Sequence, residues 1–248
     1  MSNVLTATDG PVRTITMNRP EARNALDSTA YRALIAALAE AGRDPAVRAV
    51  VFAGAGGHFT AGNDIKDFQG EIPEGDVPGI AFLKDLARFP KPMLAAVEGV
   101  AVGIGSTMLL HCDFAYAGRG ARFRMPFVPL GLCPEGGSTV LLARAVGPKK
   151  AWDWLLTGRE FTGAEAAEAG FVTAATDDGG ALRKAQETAQ ALALLPPESI
   201  RVTKGLLRRA ELPGVLEALD VEMVEFKKRR ASPEAQAVFA AFFARRGK

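Results

Sequence analysis

PKPMLAAVEGVAVGIGSTMLLHCDFAYAG, residues 90–118, holds the pattern from which the rest of the chain can be read. Pro90 and Pro92 lead into an unbroken apolar run, Met93–Val97, as a strand covered on both faces requires. A Gly-rich turn (EGVAVGIGS) follows, then helical spacing over Ser106–His111 and a second strand-like run, Asp113–Ala117. The same order stands upstream, where Ala49–Ala53 feeds GAGGHFTAGNDIKDF. It stands again downstream, where Ala121–Phe123 begins the passage through RFRMPFVPLGLCPEGGST (residues 122–139) to a helix over Ser138–Gly147. An α/β fold is therefore expected, a coil of strand-strand-helix units rather than a single βαβ with a dinucleotide loop.

Around that coil the remaining elements follow from local chemistry. Val4–Thr8 and Val12–Asn18 alternate apolar and polar residues about Asp9-Gly10, which predicts a β-hairpin. NRPEARNALD forms a turn leading to a helix, with Ser28 as N-cap, Tyr31, Leu34, Ile35 and Leu38 on one face, and Gly42 closing it. Polar, Pro- and Gly-rich Gly70–Gly79 predicts a mobile connection before a helix over Ile80–Phe89. Beyond Gly147 the pattern turns helical. Pro148–Thr157 carries Trp152 and Trp154, and Thr162 with Glu165 forms a capping box opening Gly163–Ala169. A short strand over Phe171–Ala174 precedes helices near 180–195, 197–211, 214–230 and 233–246, the last opened by Ser232-Pro233. Ala237, Phe239, Phe242 and Phe243 mark a face of that last helix for packing or subunit contact.

At 248 residues, 48% hydrophobic and 23% charged, the chain has the make-up of an ordinary globular protein with a sizeable core. A net charge of +2 gives no footprint for nucleic acid. Basic residues do gather late (Lys204, Arg208, Arg209, Lys227–Arg230), as a solvated helix face or as local help for an anionic ligand. Cys112 and Cys133 lie in apolar runs without metal-ligand spacing, so free buried thiols and no metal are expected. The absence of an apolar leader or a bilayer-length run points to a cytoplasmic protein with no membrane partner.

Two Gly-containing turns follow buried strands, Ala61-Gly62-Asn63-Asp64-Ile65 and Val102-Gly103-Ile104-Gly105-Ser106. Each is either a tight connection or a place where a backbone N–H is presented at a helix start, and two such donors on one oxygen make an oxyanion hole. Glu135 stands alone among Leu130, Leu132, Cys133 and two glycines, where a loop enters a helix. It is either an acid complementing the helix dipole or a desolvated base of raised pKa. His58, His111 and Asp113 are expected to be structural, and Asp64 to organise its loop or cap the helix that begins there.

Taken in order, NRPEARNALD, HFTAGNDIKDF, the residue 90–118 stretch, LTGREFTGAEAAEAGFV and LPPESIRVTK resemble the crotonase (enoyl-CoA hydratase/isomerase) superfamily over nearly the whole chain. The resemblance implies a spiral of ββα units over residues 1–195 that carries the active site. It implies a C-terminal helical region, 196–248, that builds trimers, often paired into hexamers. It implies an acyl-CoA substrate, no separate cofactor, and a thioester enolate stabilised by the N–H groups of Asn63 and Ile104. Thr60, Ala61, Gly62, Asn63, Asp64, Ile65 and Lys66 would line the CoA path. Arg23, and more weakly Lys204, would approach CoA phosphates, and Phe127, Phe82 and the segment 70–79 would bound the acyl pocket.

The departures from the family pattern narrow the activity. Hydratases of the superfamily use two glutamates; the matching positions are Thr107 and, within RMPFVPLG, Phe127. Neither moves a proton at neutral pH, and Thr107 is expected to pack or to hydrogen-bond locally. GND in the first loop and LGLCPEGG in the later one resemble the peroxisomal-type Δ3,Δ2-enoyl-CoA isomerases, in which the glutamate matching Glu135 is the single base. A single carboxylate suits that chemistry, because the proton taken from C2 is delivered to C4 and no water is activated. The alternatives are an isomerase of ring acyl-CoAs from aromatic degradation, or an acyl-CoA-binding subunit without catalysis.

Overall fold

The structure, a computed structural model, describes residues 2–68 and 78–246. Its elements in chain order are β1 (Val4–Asp9), β2 (Val12–Met17), α1 (Ser28–Arg43), β3 (Ala49–Gly54), α2 (Pro78–Arg88), β4 (Met93–Val97) and β5 (Val100–Val102). There follow α3 (Ile104–Thr107), β6 (Phe114–Gly118), β7 (Arg122–Arg124), α4 (Ser138–Val146), α5 (Pro148–Thr157), β8 (Glu160–Thr162), α6 (Gly163–Glu168) and β9 (Ala174–Thr176). The chain closes with α7 (Ala181–Ala193), α8 (Pro197–Arg209), α9 (Leu212–Arg230) and α10 (Pro233–Arg246). Among the described residues no helix is long and apolar enough to cross a membrane.

Two sheets share the work. The larger has the order β1-β2-β3-β4-β6-β9, with β1 and β2 the antiparallel hairpin and the rest parallel; the smaller is β5-β7-β8. Each turn of the spiral lays one strand in the large sheet and the next in the small one, β4 then β5, β6 then β7. Thr60 extends the small sheet through a parallel bridge to Ala101, so the segment after β3 takes the same place one turn earlier. The buried run Met93–Val97 shows why. Met93, Ala95 and Val97 enter the main core with Phe52, Phe59 and Phe82, whereas Leu94 and Ala96 face Ala181, Ala185 and Ala189 of α7. A strand with helices on both sides has no polar face to alternate with. The α7 N-terminus is capped from a distance, because Glu98 accepts the Ala181 N–H at 3.0 Å.

Several boundaries differ from expectation. The N-cap of α1 is Asp27, which has an extended backbone and accepts the Ala30 N–H at 2.7 Å; Ser28 is already helical. Gly42 lies inside α1, where a Cβ would stand 3.3 Å from the Phe89 ring. Helical geometry begins at Ile104, two residues before Ser106, and Met108–His111 tightens to a 3-10 turn. Only half of the capping box forms. Thr162 accepts the Glu165 N–H, but the Glu165 carboxylate is drawn to Arg159 and Lys150. The strand expected over Phe171–Ala174 is Ala174–Thr176, because Phe171 and Val172 turn into the core, Phe171 against the Trp154 and Phe161 rings. On α10 the buried positions are Ala235 and Phe239, with Ala237 exposed; the side chains of Phe242 and Phe243, like most of Gly70–Gly79, lie outside the described residues.

The turn before α1 is fixed by a residue that helical and strand periodicity cannot reveal. Asn24 is buried with φ 58°, accepts the Arg19 N–H, and donates to the carbonyls of Ala55 and His58 at 2.8 and 2.7 Å. Asn24→Ala removes the partner of three partly buried backbone groups and puts a Cβ residue without a polar tip in the left-handed region. The expected loss is about 3 kcal/mol, read from urea unfolding. A loss below about 0.5 kcal/mol contradicts this account of the turn.

Candidate active site

The small sheet brings the two Gly turns side by side. Gly62 has φ 86°, and a Cβ there would lie 2.4 Å from the Val102 carbonyl oxygen, so only glycine lets the first turn press on the second. Thr60 sets this contact: fully buried, it donates to the Asn24 carbonyl and accepts the Gly62 N–H, so its hydroxyl ties this loop to the turn before α1. The Ala61 N–H is held by the Arg23 carbonyl, and Asn63 Oδ1 accepts the Tyr31 hydroxyl at 2.5 Å. Asp64 organises the loop as expected, accepting the Lys66 N–H and pairing with Arg19 at 3.3 Å. Ile65 opens the 3-10 turn Ile65–Phe68, and the side chains of Lys66 and Arg23 are exposed. Among the described residues, the N–H groups of Asn63 and Ile104 carry no hydrogen bond.

Glu135 joins the same neighbourhood from the later loop. The Thr107 hydroxyl, one helical turn beyond Ile104, donates to Glu135 Oε1 at 2.6 Å. Gly136, with φ 78°, lies so close that a Cβ would stand 2.7 Å from Thr107 Cβ. Glu135 is only 6% exposed, and Phe127 and Leu132 belong to the same buried core. Burial pushes its carboxyl up from 4.5 to about 8; the Thr107 hydrogen bond opposes that shift and the nearby Glu222 charge adds to it.

Glu222 is the residue that sequence reasoning missed. It lies on α9, buried, and accepts the N–H of Gly137 at 2.7 Å, the N–H of Thr139 at 3.0 Å and the Thr139 hydroxyl at 2.5 Å. It thereby caps α4 in place of Gly137, which has no side chain to do so. His111 secures the other side of the turn, its Nε2 2.8 Å from the Gly136 carbonyl oxygen, and burial lowers its pKa to about 4. An acid in a helix far along the chain, with no motif around it, carried no local signal.

Other expectations are corrected or refined. Lys204 is buried, donates to the Lys91 carbonyl at 2.6 Å and pairs with Asp113 at 2.7 Å, so it ties α8 to the core and does not reach for a phosphate. Asp113 makes the expected backbone bond, from the Met93 N–H, and also anchors Arg208. Cys112 and Cys133 are free and half-buried, their thiols pushed up to about 12 and about 11 by burial. Phe82, on α2, is packed against Tyr31 and Phe52 in the core.

Residues 7–247 match the family model described as enoyl-CoA hydratase/isomerase. The chain belongs to the enoyl-CoA hydratase/isomerase family. A protein of Rhizobium meliloti named "Probable enoyl-CoA hydratase" is 36% identical over 98% of this chain and 95% of its own length. The rat "Enoyl-CoA delta isomerase 2" is 33% identical over 99% of this chain, which spans 64% of that longer protein. The solved structure of Pseudomonas aeruginosa OdaA superposes with a TM-score of 0.95 at 38% identity, covering 98% of this chain and 99% of its own. The fold is that of the crotonase superfamily, and the family's activity is hydration or isomerisation of acyl-CoA thioesters.

A carboxyl with a folded pKa near 8 and an ordinary value near 4.5 binds its proton more tightly in the folded state. Its contribution to stability is complete below pH 4.5 and is lost as pH rises through 8. Glu135→Gln removes that titration. The variant is expected to gain on the native protein by on the order of 3 kcal/mol between pH 5 and pH 8.5, measured by denaturant unfolding at each pH. A difference that stays flat across this range would show the carboxyl to be ordinary.

Proposed function

We propose that this protein is a Δ3,Δ2-enoyl-CoA isomerase in which Glu135 carries the proton in both directions. The observation behind this reading is a buried carboxyl, pushed up to about 8 and bonded to Thr107, which lies one helical turn beyond Ile104, whose N–H carries no hydrogen bond among the described residues. Thr107 and Phe127 stand where the resemblance places the two glutamates of a hydratase, so a second acid to activate water is missing from those positions.

The reaction balances without an external reagent. The Glu135 carboxylate takes the proton from C2 of a 3-enoyl-CoA, and the electron pair of the C–H bond moves onto the thioester oxygen through the conjugated system. The N–H groups of Asn63 and Ile104 donate to that oxygen, where a donor of this kind is worth about 2.7–4 kcal/mol. The carboxylic acid then returns the proton to C4, leaving the double bond between C2 and C3. No cofactor is consumed, and coenzyme A enters only as part of the substrate. In this reading the turn from Thr60 to Lys66 guides the CoA moiety, Arg23 meets its phosphates, and Phe127 closes the acyl end.

We further assign the C-terminal region, residues 196–248, to assembly of a homotrimer, open to pairing into a hexamer. The exposed apolar residues Leu206 and Leu207 on α8 and Trp152 on α5, at 63%, 74% and 64% exposure, support this.

The native enzyme should convert 3-hexenoyl-CoA to 2-hexenoyl-CoA, with kcat/KM rising through a midpoint near pH 8. Hydration of crotonyl-CoA should be far slower. Glu135→Gln should reduce isomerisation by at least about a thousandfold while binding of the thioester persists. A variant retaining the native rate would sink the proposal.

A further inference from the structure

We propose that Thr107 is a positioning residue that makes Glu135 a one-sided shuttle: its hydroxyl holds Oε1, so that Oε2 alone exchanges the proton with substrate. This deepens the isomerase reading and rests on it. Thr107 is fully buried, and its hydroxyl hydrogen is committed to Oε1 at 2.6 Å. An oxygen already receiving that hydrogen is poorly placed to carry a proton of its own. When the carboxyl is protonated the proton therefore sits on Oε2, and Oε1 stays an acceptor in both states. The Thr107 bond need not break during turnover, and the proton taken from C2 is on the oxygen that must give it to C4.

The surroundings hold this arrangement from three sides. Gly136 leaves the space that Thr107 fills, Glu222 fixes Gly137 and Thr139, and His111 contacts the Gly136 carbonyl. Thr107 also shares α3 with Ile104, so one short helix orients both the carboxyl and one of the proposed oxyanion donors. β-branching limits Thr107 to few rotamers, which suits a fixed donor. The titratable and charged groups around Glu135 are Glu222 from α9, His111 after α3, Cys133 on its own loop, and Arg208 of α8 behind His111. His111 lies at about 4 and Cys133 at about 11, while burial raises the Glu222 carboxyl against the hydrogen bonds it accepts from Thr139 and Gly137.

Thr107→Val keeps the shape and removes the donor. It should lower kcat for 3-hexenoyl-CoA about 10- to 100-fold with KM within about twofold, and move the rising limb of the kcat profile to higher pH by about one pH unit. Thr107→Ser should restore kcat to within about threefold and return the limb to its native place. Should the valine variant fold poorly by circular dichroism, Thr107→Ala must show the same upward movement. Native kcat and an unmoved limb in a folded Thr107→Val or Thr107→Ala, alongside an inactive Glu135→Gln, overturn the role of Thr107 and leave the isomerase reading standing. An active Glu135→Gln overturns that reading itself.

Discussion

Keeping one carboxyl dry is the constraint around which this molecule is arranged. A carboxylate removed from water is strongly disfavoured unless partners replace its hydration, and Glu135 is given one hydroxyl and an apolar enclosure. The protein therefore holds a group that favours its neutral form. That penalty is what brings the proton affinity to about 8, within reach of neutral pH, where a general base is useful. The enclosure has to be rigid as well as apolar, since a loosened loop would let water in and return the group to an ordinary acid.

Rigidity comes from pairing each irregular segment with something far away in sequence. The loop of Glu135 contains Pro134, Gly136 and Gly137 and no regular structure of its own until Ser138. It is instead held from outside, its backbone by His111 and Glu222 and its carboxyl by Thr107. The turn before Asn63 is treated likewise, through Asn24, Thr60 and the Arg23 carbonyl. The spiral makes this economical. Successive units lay their second strands side by side in the small sheet, so the turns that follow those strands emerge next to each other. Glycine at 62 is what allows the two turns to touch.

Much of this was legible in the sequence because it rests on local chemistry. The buried strands announced themselves as apolar runs, the hairpin as alternation about Asp9-Gly10, and Glu135 as a lone acid in an apolar loop. Asp64 and Asp113 also had the loop-organising and backbone-bonding tasks foreseen for them. What failed depended on partners distant in the chain. Lys204 looked like part of a solvated basic face until Asp113 and the Lys91 carbonyl claimed its ammonium group. Ser28 lost the cap to Asp27 by a single residue of backbone geometry. Thr107 was expected to pack or to bond locally, yet its hydroxyl reaches Glu135, 28 positions away, and Glu222 is 85 positions from the N–H it accepts.

The same distant contacts bind the C-terminal helices to the Glu135 loop and to β6. Glu222 reaches the loop from α9, and Ala235 of α10 lies against Gly131, where a Cβ would stand 2.9 Å from the Ala235 Cα. Lys204 and Arg208 fasten α8 to Asp113, at the start of β6. α8, which exposes Leu206 and Leu207, is thus fastened to Asp113 on its other side, while α9 fixes the turn that carries Glu135. A displacement of α9 would pull on Gly137 and Thr139 together, and through them on the carboxyl. Contacts of these helices with neighbouring copies, in the assembly proposed above, would brace the Glu135 loop through Glu222 of α9 and through Arg208 of α8 on His111.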